Sequence, residues 1–232
     1  MKALIVLTIA AASNLTGVFQ TIGPQFEQAA GIHAVFSFGS TATLTQQIEN
    51  GAPFDVFAAA DTEHVDQLEK KSLFVANSRA VYATGILALW IPPGSRAAIA
   101  RIEDLAHADV KTIAVAKPEL APYGEATIET LKSLGLLANV QSKVVYADNI
   151  GMARQYGTSG NADAVFTAYS LVMKDGGKII QIPESDHKPI AQALGVLATS
   201  KHQAEARKFT EFLLKGKGRE TLAASGYRVG GQ

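Results

Sequence analysis

The feature that most constrains this chain is an alternation, kept up from end to end, of strand-length apolar runs with stretches of helical spacing. The runs fall at residues 4–10, 34–38, 55–59, 81–90, 112–116, 143–146, 164–168 and 190–198, and most carry β-branched or aromatic side chains. Between them, apolar residues return every three or four positions. One such set is Leu15, Val18, Phe19, Ile22 and Phe26; others are Ile128, Leu131 and Leu134, and Phe209, Phe212 and Leu213. Alternation of this kind predicts an α/β protein with mainly parallel sheets flanked by helices. Pro24 inside the first helical pattern predicts a kink or break near Gly23.

At 232 residues the chain is long enough for one large domain or two lobes, each with its own core. Two long extended segments, 81–91 and 190–199, each run between helical stretches. If both cross between lobes, residues 1–81 and 195–232 form a first lobe that holds both termini. Residues 82–194 are then an inserted second lobe. A single doubly wound domain satisfies the same spacing. The first run, residues 3–12, fits either a short secretory signal or a buried strand ending at Ser13-Asn14. No other apolar stretch approaches the roughly 20 residues needed to span a bilayer.

Charge excludes several classes of function. Lys and Arg total 21, as do Asp and Glu, so no global field favours nucleic acid or an anionic membrane. The absence of cysteine removes disulfides, thiolate metal sites and a Cys nucleophile together. His33, His64, His107, His187 and His202 lack metal-ligand spacing and are expected at the surface. No G-x-S-x-G elbow, P-loop or dinucleotide fingerprint follows a strand, so nothing argues for an enzyme. Gly216-Lys217-Gly218-Arg219 lies after a helix and reads as a solvated turn.

Four strand ends are more informative. The first runs into Ser13-Asn14, and the second into Gly39-Ser40-Thr41 ahead of a helix that Gly51 ends. The run at 112–116 leads to Pro122-Tyr123-Gly124-Glu125, and that at 143–146 to Asp148-Asn149-Ile150-Gly151. Ser, Thr and Asn favour the N-cap, and Pro and Glu the first turn. In an open α/β sheet ligands bind beyond the carboxyl ends of the strands. Helix starts there present unpaired N–H groups and partial positive charge. Several together make an anion site without lysine or arginine. The Ser13, Ser40 and Thr41 hydroxyls can add donors. A single such cap is usually only a cap; the expectation rests on the four together.

The segments Ala10-Ala11-Ala12-Ser13-Asn14, Ser37-Phe38-Gly39-Ser40-Thr41-Ala42-Thr43-Leu44 and Gly51-Ala52-Pro53-Phe54-Asp55-Val56-Phe57-Ala58-Ala59-Ala60-Asp61 resemble the periplasmic molybdate-binding proteins of ABC importers. So do Lys117-Pro118-Glu119-Leu120-Ala121-Pro122-Tyr123-Gly124, Asn149-Ile150-Gly151 and Gly226-Tyr227. The resemblance spans nearly the whole chain in order, and the third segment is its most specific part. It implies the two-lobed periplasmic-binding-protein fold, with molybdate or tungstate held in a cleft between the lobes.

Carried over position by position, the contacts fall on Ser13, Asn14 and Thr41 with Ser40 adjacent, and on Tyr123 and Ile150 through backbone N–H. Some members add a tyrosine hydroxyl late in the second lobe. Thr167 stands at that position here, and Tyr169 lies close by but out of phase. Ala59 replaces a frequent serine, which reads as a packing change. The resemblance further implies no catalysis, no cofactor, no direct metal–protein bond and a monomer that delivers its anion to a membrane ABC permease after hinge closure. It implies a periplasmic location, with no signal peptide in this chain.

A charge-assisted hydrogen bond contributes roughly 1.5–3 kcal/mol, so about seven supply about 10–20 kcal/mol before desolvation. Nanomolar affinity needs about 12 kcal/mol, so neutral donors suffice. A donor-only pocket also disfavours protonated phosphate, although Asp148 beside the site offers a candidate acceptor. The competing readings are a binder of sulfate, thiosulfate or an organic acid, and the sensing domain of a regulator. An organic acid calls for an Arg fork, and Arg154 is the nearby candidate. A regulator normally carries an N-terminal DNA-binding helix pair, whereas this chain opens on a strand.

Overall fold

The computed structural model describes residues 5–230; Ala3 and Leu4, at the start of the first apolar run, lie outside them. The chain divides into two compact units, one running to Thr84 and resuming at Ala191, the other spanning Gly85–Ile190. The sequence had suggested borders at 81/82 and 194/195. The observed borders follow hydrogen bonding: the strand at Ala80–Gly85 and the strand that starts at Ile190 both belong to the first unit's sheet.

The first unit opens with β1 (Ile5–Ala12), a short 3-10 turn at Ser13–Leu15 and α1 (Thr16–Ala30). β2 (Ile32–Gly39), α2 (Thr41–Glu49), β3 (Val56–Ala58), α3 (Glu63–Lys70) and β4 (Ala80–Gly85) follow. The second unit holds β5 (Leu87–Ile91), β6 (Ile113–Ala116), α4 (Pro122–Ser133), α5 (Leu137–Val140) and β7 (Val144–Ala147). It continues with α6 (Ile150–Thr158), β8 (Ala164–Ala168), α7 (Tyr169–Val172) and β9 (Lys178–Gln181). β10 (Ile190–Val196), α8 (Gln203–Leu214) and α9 (Gly216–Ala224) return to the first.

Each unit is built on one five-stranded mixed sheet. The first has the order β2-β1-β3-β10-β4, with β1 parallel to β2 and β3, and β10 antiparallel to β3. The second has the order β7-β6-β8-β5-β9, with β6 parallel to β7 and β8, and β5 antiparallel to β8 and β9. In both, a parallel trio is followed by one strand antiparallel to it, β10 or β5, close to a point where the chain changes unit. The apolar run at 81–90 is therefore two strands that break at Ile86 and join different sheets. β9 escaped the sequence reading because it is short and half exposed at a sheet edge.

The first core packs α1 and α8 on the sheet. Leu15, Phe19, Ile22, Phe26, Phe209 and Leu213 are fully buried, and the Phe26 and Phe209 rings meet edge to face at 5.2 Å. α1 runs unbroken through Pro24. Gly23 beside it lies so close to Phe36 that an added Cβ would stand 2.9 Å from that ring. The second core centres on Trp90, Ala114, Ala153 and Val165, with Trp90 Nε1 donating to Gly176 O at 2.9 Å.

Candidate functional site

In the first unit, β1 and β2 run side by side in register to Ala12 opposite Gly39, so Ser13 and Ser40 leave the sheet at neighbouring points. The order β2-β1-β3 makes this edge a point where successive connections run in opposite directions, the usual place for a ligand in an α/β sheet. Ser13, Asn14, Ser40 and Thr41 are all buried there, between 1% and 6% exposed.

Their side chains differ in what they have left to give. Ser40 is the N-cap of α2: its Oγ accepts from Thr43 N at 3.4 Å and donates to Thr43 Oγ1 at 2.6 Å. Its proton is thus engaged inside the cap. Thr41, the first residue of α2, accepts the Ala60 N–H at 3.1 Å through its Oγ1. That bond ties α2 to the end of β3, and it leaves the Thr41 hydroxyl proton for an acceptor outside the described residues. Asn14 is held from two sides. Its Nδ2 donates to Gln192 Oε1 at 3.0 Å and to the Tyr227 hydroxyl at 3.1 Å, and that hydroxyl donates to Asn14 O at 2.7 Å. Ala59 carries no hydroxyl, and its backbone is fully used: N–H to Ala193 O at 2.9 Å, carbonyl to the Tyr82 hydroxyl at 2.8 Å.

The second unit repeats the arrangement with the ends of β7, β6 and β8. α6 begins directly after β7. Asn149 caps it by accepting Met152 N at 2.9 Å, and the next residue, Ile150, is buried with its N–H on the first helical position. α4 begins at Pro122, where the missing N–H costs nothing. Tyr123 is 1% exposed at the second position of that helix. Gly124 lets the helix start press on β6: a Cβ there would lie 2.2 Å from Ala116 O. Thr167 closes the trio near the end of β8. It shares a sheet face with Val165, which packs against α6 at Gly157. Its side chain is fully buried and its Oγ1 has no hydrogen-bond partner among the described residues. Tyr169 has left the strand for α7, is half buried, and spends its N–H on Ile86 O.

Two charged groups near the second unit's edge are occupied. Arg154 forms a two-pronged pair with Asp175, Nε to Oδ2 at 2.8 Å and Nη2 to Oδ1 at 3.0 Å. It is therefore not a free fork for a carboxylate. Asp148, considered above as an acceptor within the site, instead has an exposed side chain paired with Lys117 Nζ at 2.7 Å. The hydrogen bond and charge of Asp148 raise the Lys117 pKa above the usual lysine value.

Two further sequence expectations are corrected. His187 is not at the surface but 7% exposed, its ring Nδ1 2.7 Å from Lys188 O. Gly216-Lys217-Gly218-Arg219 is the start of α9 rather than a turn; Gly218 is buried, where a Cβ would lie 2.3 Å from Phe212 O.

Two units of mixed sheet, each presenting a parallel trio's carboxyl ends lined with neutral hydrogen-bond donors, define a protein that holds a small anion. Residues 7–228 match the family of bacterial extracellular solute-binding proteins, and the chain belongs to that family. It is 37% identical to the molybdate-binding protein ModA of Azotobacter vinelandii over 94% of this chain and 88% of that protein. It is 33% identical to ModA of Rhodobacter capsulatus over 94% of this chain and 86% of that one. The solved A. vinelandii periplasmic molybdate-binding protein superimposes with a TM-score of 0.92 at 31% identity, covering 97% of this chain and all of the other.

Proposed function

We propose that this protein binds molybdate or tungstate as an intact tetrahedral dianion and passes it, from the periplasm, to a membrane ABC permease. Ser13, Asn14 and Thr41 serve the anion from the first unit, with Ser40 supporting Thr41. Tyr123 and Ile150 serve it through backbone N–H groups from the second, and Thr167 through its hydroxyl. The anion meets one set of donors first, and hinge movement adds the other. The protein acts as a monomer, needs no cofactor, bonds no metal directly and catalyses no reaction.

The observation that carries this reading is the neutrality of the donor sets. The Thr41 hydroxyl proton is available, and the buried Thr167 hydroxyl has no protein partner among the described residues. Arg154 and Asp148, two charged groups beside these edges, are paired elsewhere. Such a site suits a fully ionised oxyanion. It penalises a ligand that brings its own proton, because a buried donor facing donors is left unpaired. A carboxylate ligand would lack its guanidinium fork.

Isothermal titration with molybdate, tungstate, sulfate and phosphate tests the proposal. Nanomolar to submicromolar binding of the first two, with sulfate and phosphate weaker by at least about a hundredfold, a difference of about 2.8 kcal/mol, is expected. Sulfate binding as tightly as molybdate would overturn the choice of anion while leaving the family unchanged.

A further inference from the structure

Buried polar side chains are costly unless satisfied, and Gln192, 0% exposed on β10, is a clear case in the first unit. Its Oε1 accepts two hydrogen bonds, from Asn14 Nδ2 at 3.0 Å and from the Tyr82 hydroxyl at 2.8 Å. Tyr82, 4% exposed, shares its single proton between Gln192 and Ala59 O, each 2.8 Å away. Beyond Asn14 the chain of bonds reaches Tyr227, whose hydroxyl returns to the Asn14 carbonyl. Both hydrogens of the Asn14 amide are thereby directed into the protein. The Asn14 side chain works as a tether, and the group it positions is its own backbone at the first helix start.

The anchors of this tether are not arbitrary. Tyr82 lies on β4, just before the chain leaves the first unit after Thr84, and Gln192 lies on β10, just after it returns at Ala191. The two strands are neighbours in one sheet. One buried oxygen thus joins the residue beside the anion edge to both crossovers.

We propose that Gln192, clamped by Tyr82, is a positioning residue for the anion site: it fixes Asn14 from behind and sets anion affinity without touching the anion. The inference rests on the oxyanion-binding function proposed above. The shape of Gln192 alone does not suffice; its oxygen must accept two donors while its side chain carries no charge.

The test compares molybdate titrations of the wild type, Gln192→Leu, Gln192→Glu and Tyr82→Phe from pH 5.5 to 9, each with a melting curve of the unliganded protein at the same pH. The expected wild-type affinity is flat, because hydroxyls and amides do not titrate there. Gln192→Leu weakens binding by about 10- to 100-fold, the scale for removing a group that orients a ligand of a bound ion, and Tyr82→Phe by less. Gln192→Glu gives the diagnostic result. A buried Glu titrates above its usual value, so its neutral form, which keeps the accepting oxygen, binds well at the acid end. Affinity then falls at least tenfold as pH rises and the side chain becomes an anion behind Asn14. A packing defect alone would shift the melting curves without this slope. A flat Gln192→Glu profile, or wild-type affinity in folded Gln192→Leu, overturns the inference. Should Gln192→Leu fail to fold, the Glu and Phe variants decide alone. Loss of molybdate binding by the wild type would instead strike at the proposed function.

Discussion

Replacing Thr41 by valine separates two things its hydroxyl does. Valine keeps the branched shape at the first position of α2 but can neither accept nor donate. The accepting role is visible in the structure as the 3.1 Å bond from Ala60 N–H, with Thr41 only 1% exposed. Stranding that buried N–H costs about 1–3 kcal/mol of stability. For a chain of this size each kcal/mol shifts Tm by about 2–4 °C. The donating role is inferred: a hydroxyl whose oxygen already accepts from the protein has its proton left for the anion. A hydrogen bond to a charged group contributes about 1.5–3 kcal/mol, so Thr41→Val weakens molybdate binding by about 10- to 150-fold. Calorimetric titration reads the second effect and a melt of the unliganded protein reads the first. Thr41→Ser, which retains both roles, restores affinity to within a few-fold. If Thr41→Val lowers Tm yet binds molybdate like the wild type, the outward proton does not reach the anion and the assignment of Thr41 is wrong.

Thr167→Val behaves in the opposite sense on stability. Its hydroxyl has no partner among the described residues, so the unliganded protein melts at the same temperature or higher, while molybdate affinity drops by about tenfold, near 1.4 kcal/mol. A fall in both would mean the hydroxyl is satisfied within the protein. Gly124→Ala drives a methyl to 2.2 Å from Ala116 O and must lift the start of α4 off β6. Overpacking of this kind costs about 1–3 kcal/mol, read by denaturant titration, and weakens the anion through the displaced Tyr123 N–H. Arg154→Ala leaves affinity within about twofold and costs about 1 kcal/mol or less, since its partner is Asp175 and both side chains are partly exposed. Asp104 accepts from the Ala100 and Arg101 backbone N–H groups, in that order of weight, which lowers its pKa. A depressed carboxylate contributes stability above its unfolded pKa, near 3.9, and loses it as pH falls through the lower folded value. Asp104→Asn therefore lowers Tm at neutral pH and flattens this acid loss, as melts from pH 2 to 7 would read.

The helix starts were legible in the sequence because capping is local. Ser40 with Thr43 and Asn149 with Met152 each close a cap across three residues, and proline marks the head of α4 by itself. Periodicity likewise exposed α1, whose stripe from Leu15 to Phe26 is buried throughout. It served α4 less well. Leu134 is exposed, while Thr127 and Thr130 are fully buried because their hydroxyls return to the Tyr123 and Ala126 carbonyls. A hydropathy pattern cannot register a polar side chain that satisfies itself inside its own helix. The break at Ile86 was hidden for a related reason: both faces of both strands are apolar enough that the change of sheet leaves no mark.

What sequence could not supply is how charged and amide groups pair across the chain, and for this site that pairing decides the chemistry. Arg154 looks like a ligand fork until Asp175, 21 positions away, takes both prongs. Asp148 looks like an acceptor until Lys117, 31 positions away, draws it outward. Both absorb a charge that would otherwise act on an anion. Gln192 and Tyr82, 110 positions apart, pass unnoticed in the sequence because neither sits in a motif. The neutrality of the donor sets thus has two origins. The short motifs after each strand supply hydroxyls and backbone N–H groups, and the tertiary fold removes or neutralises the competitors. Selectivity for a fully ionised oxyanion needs both.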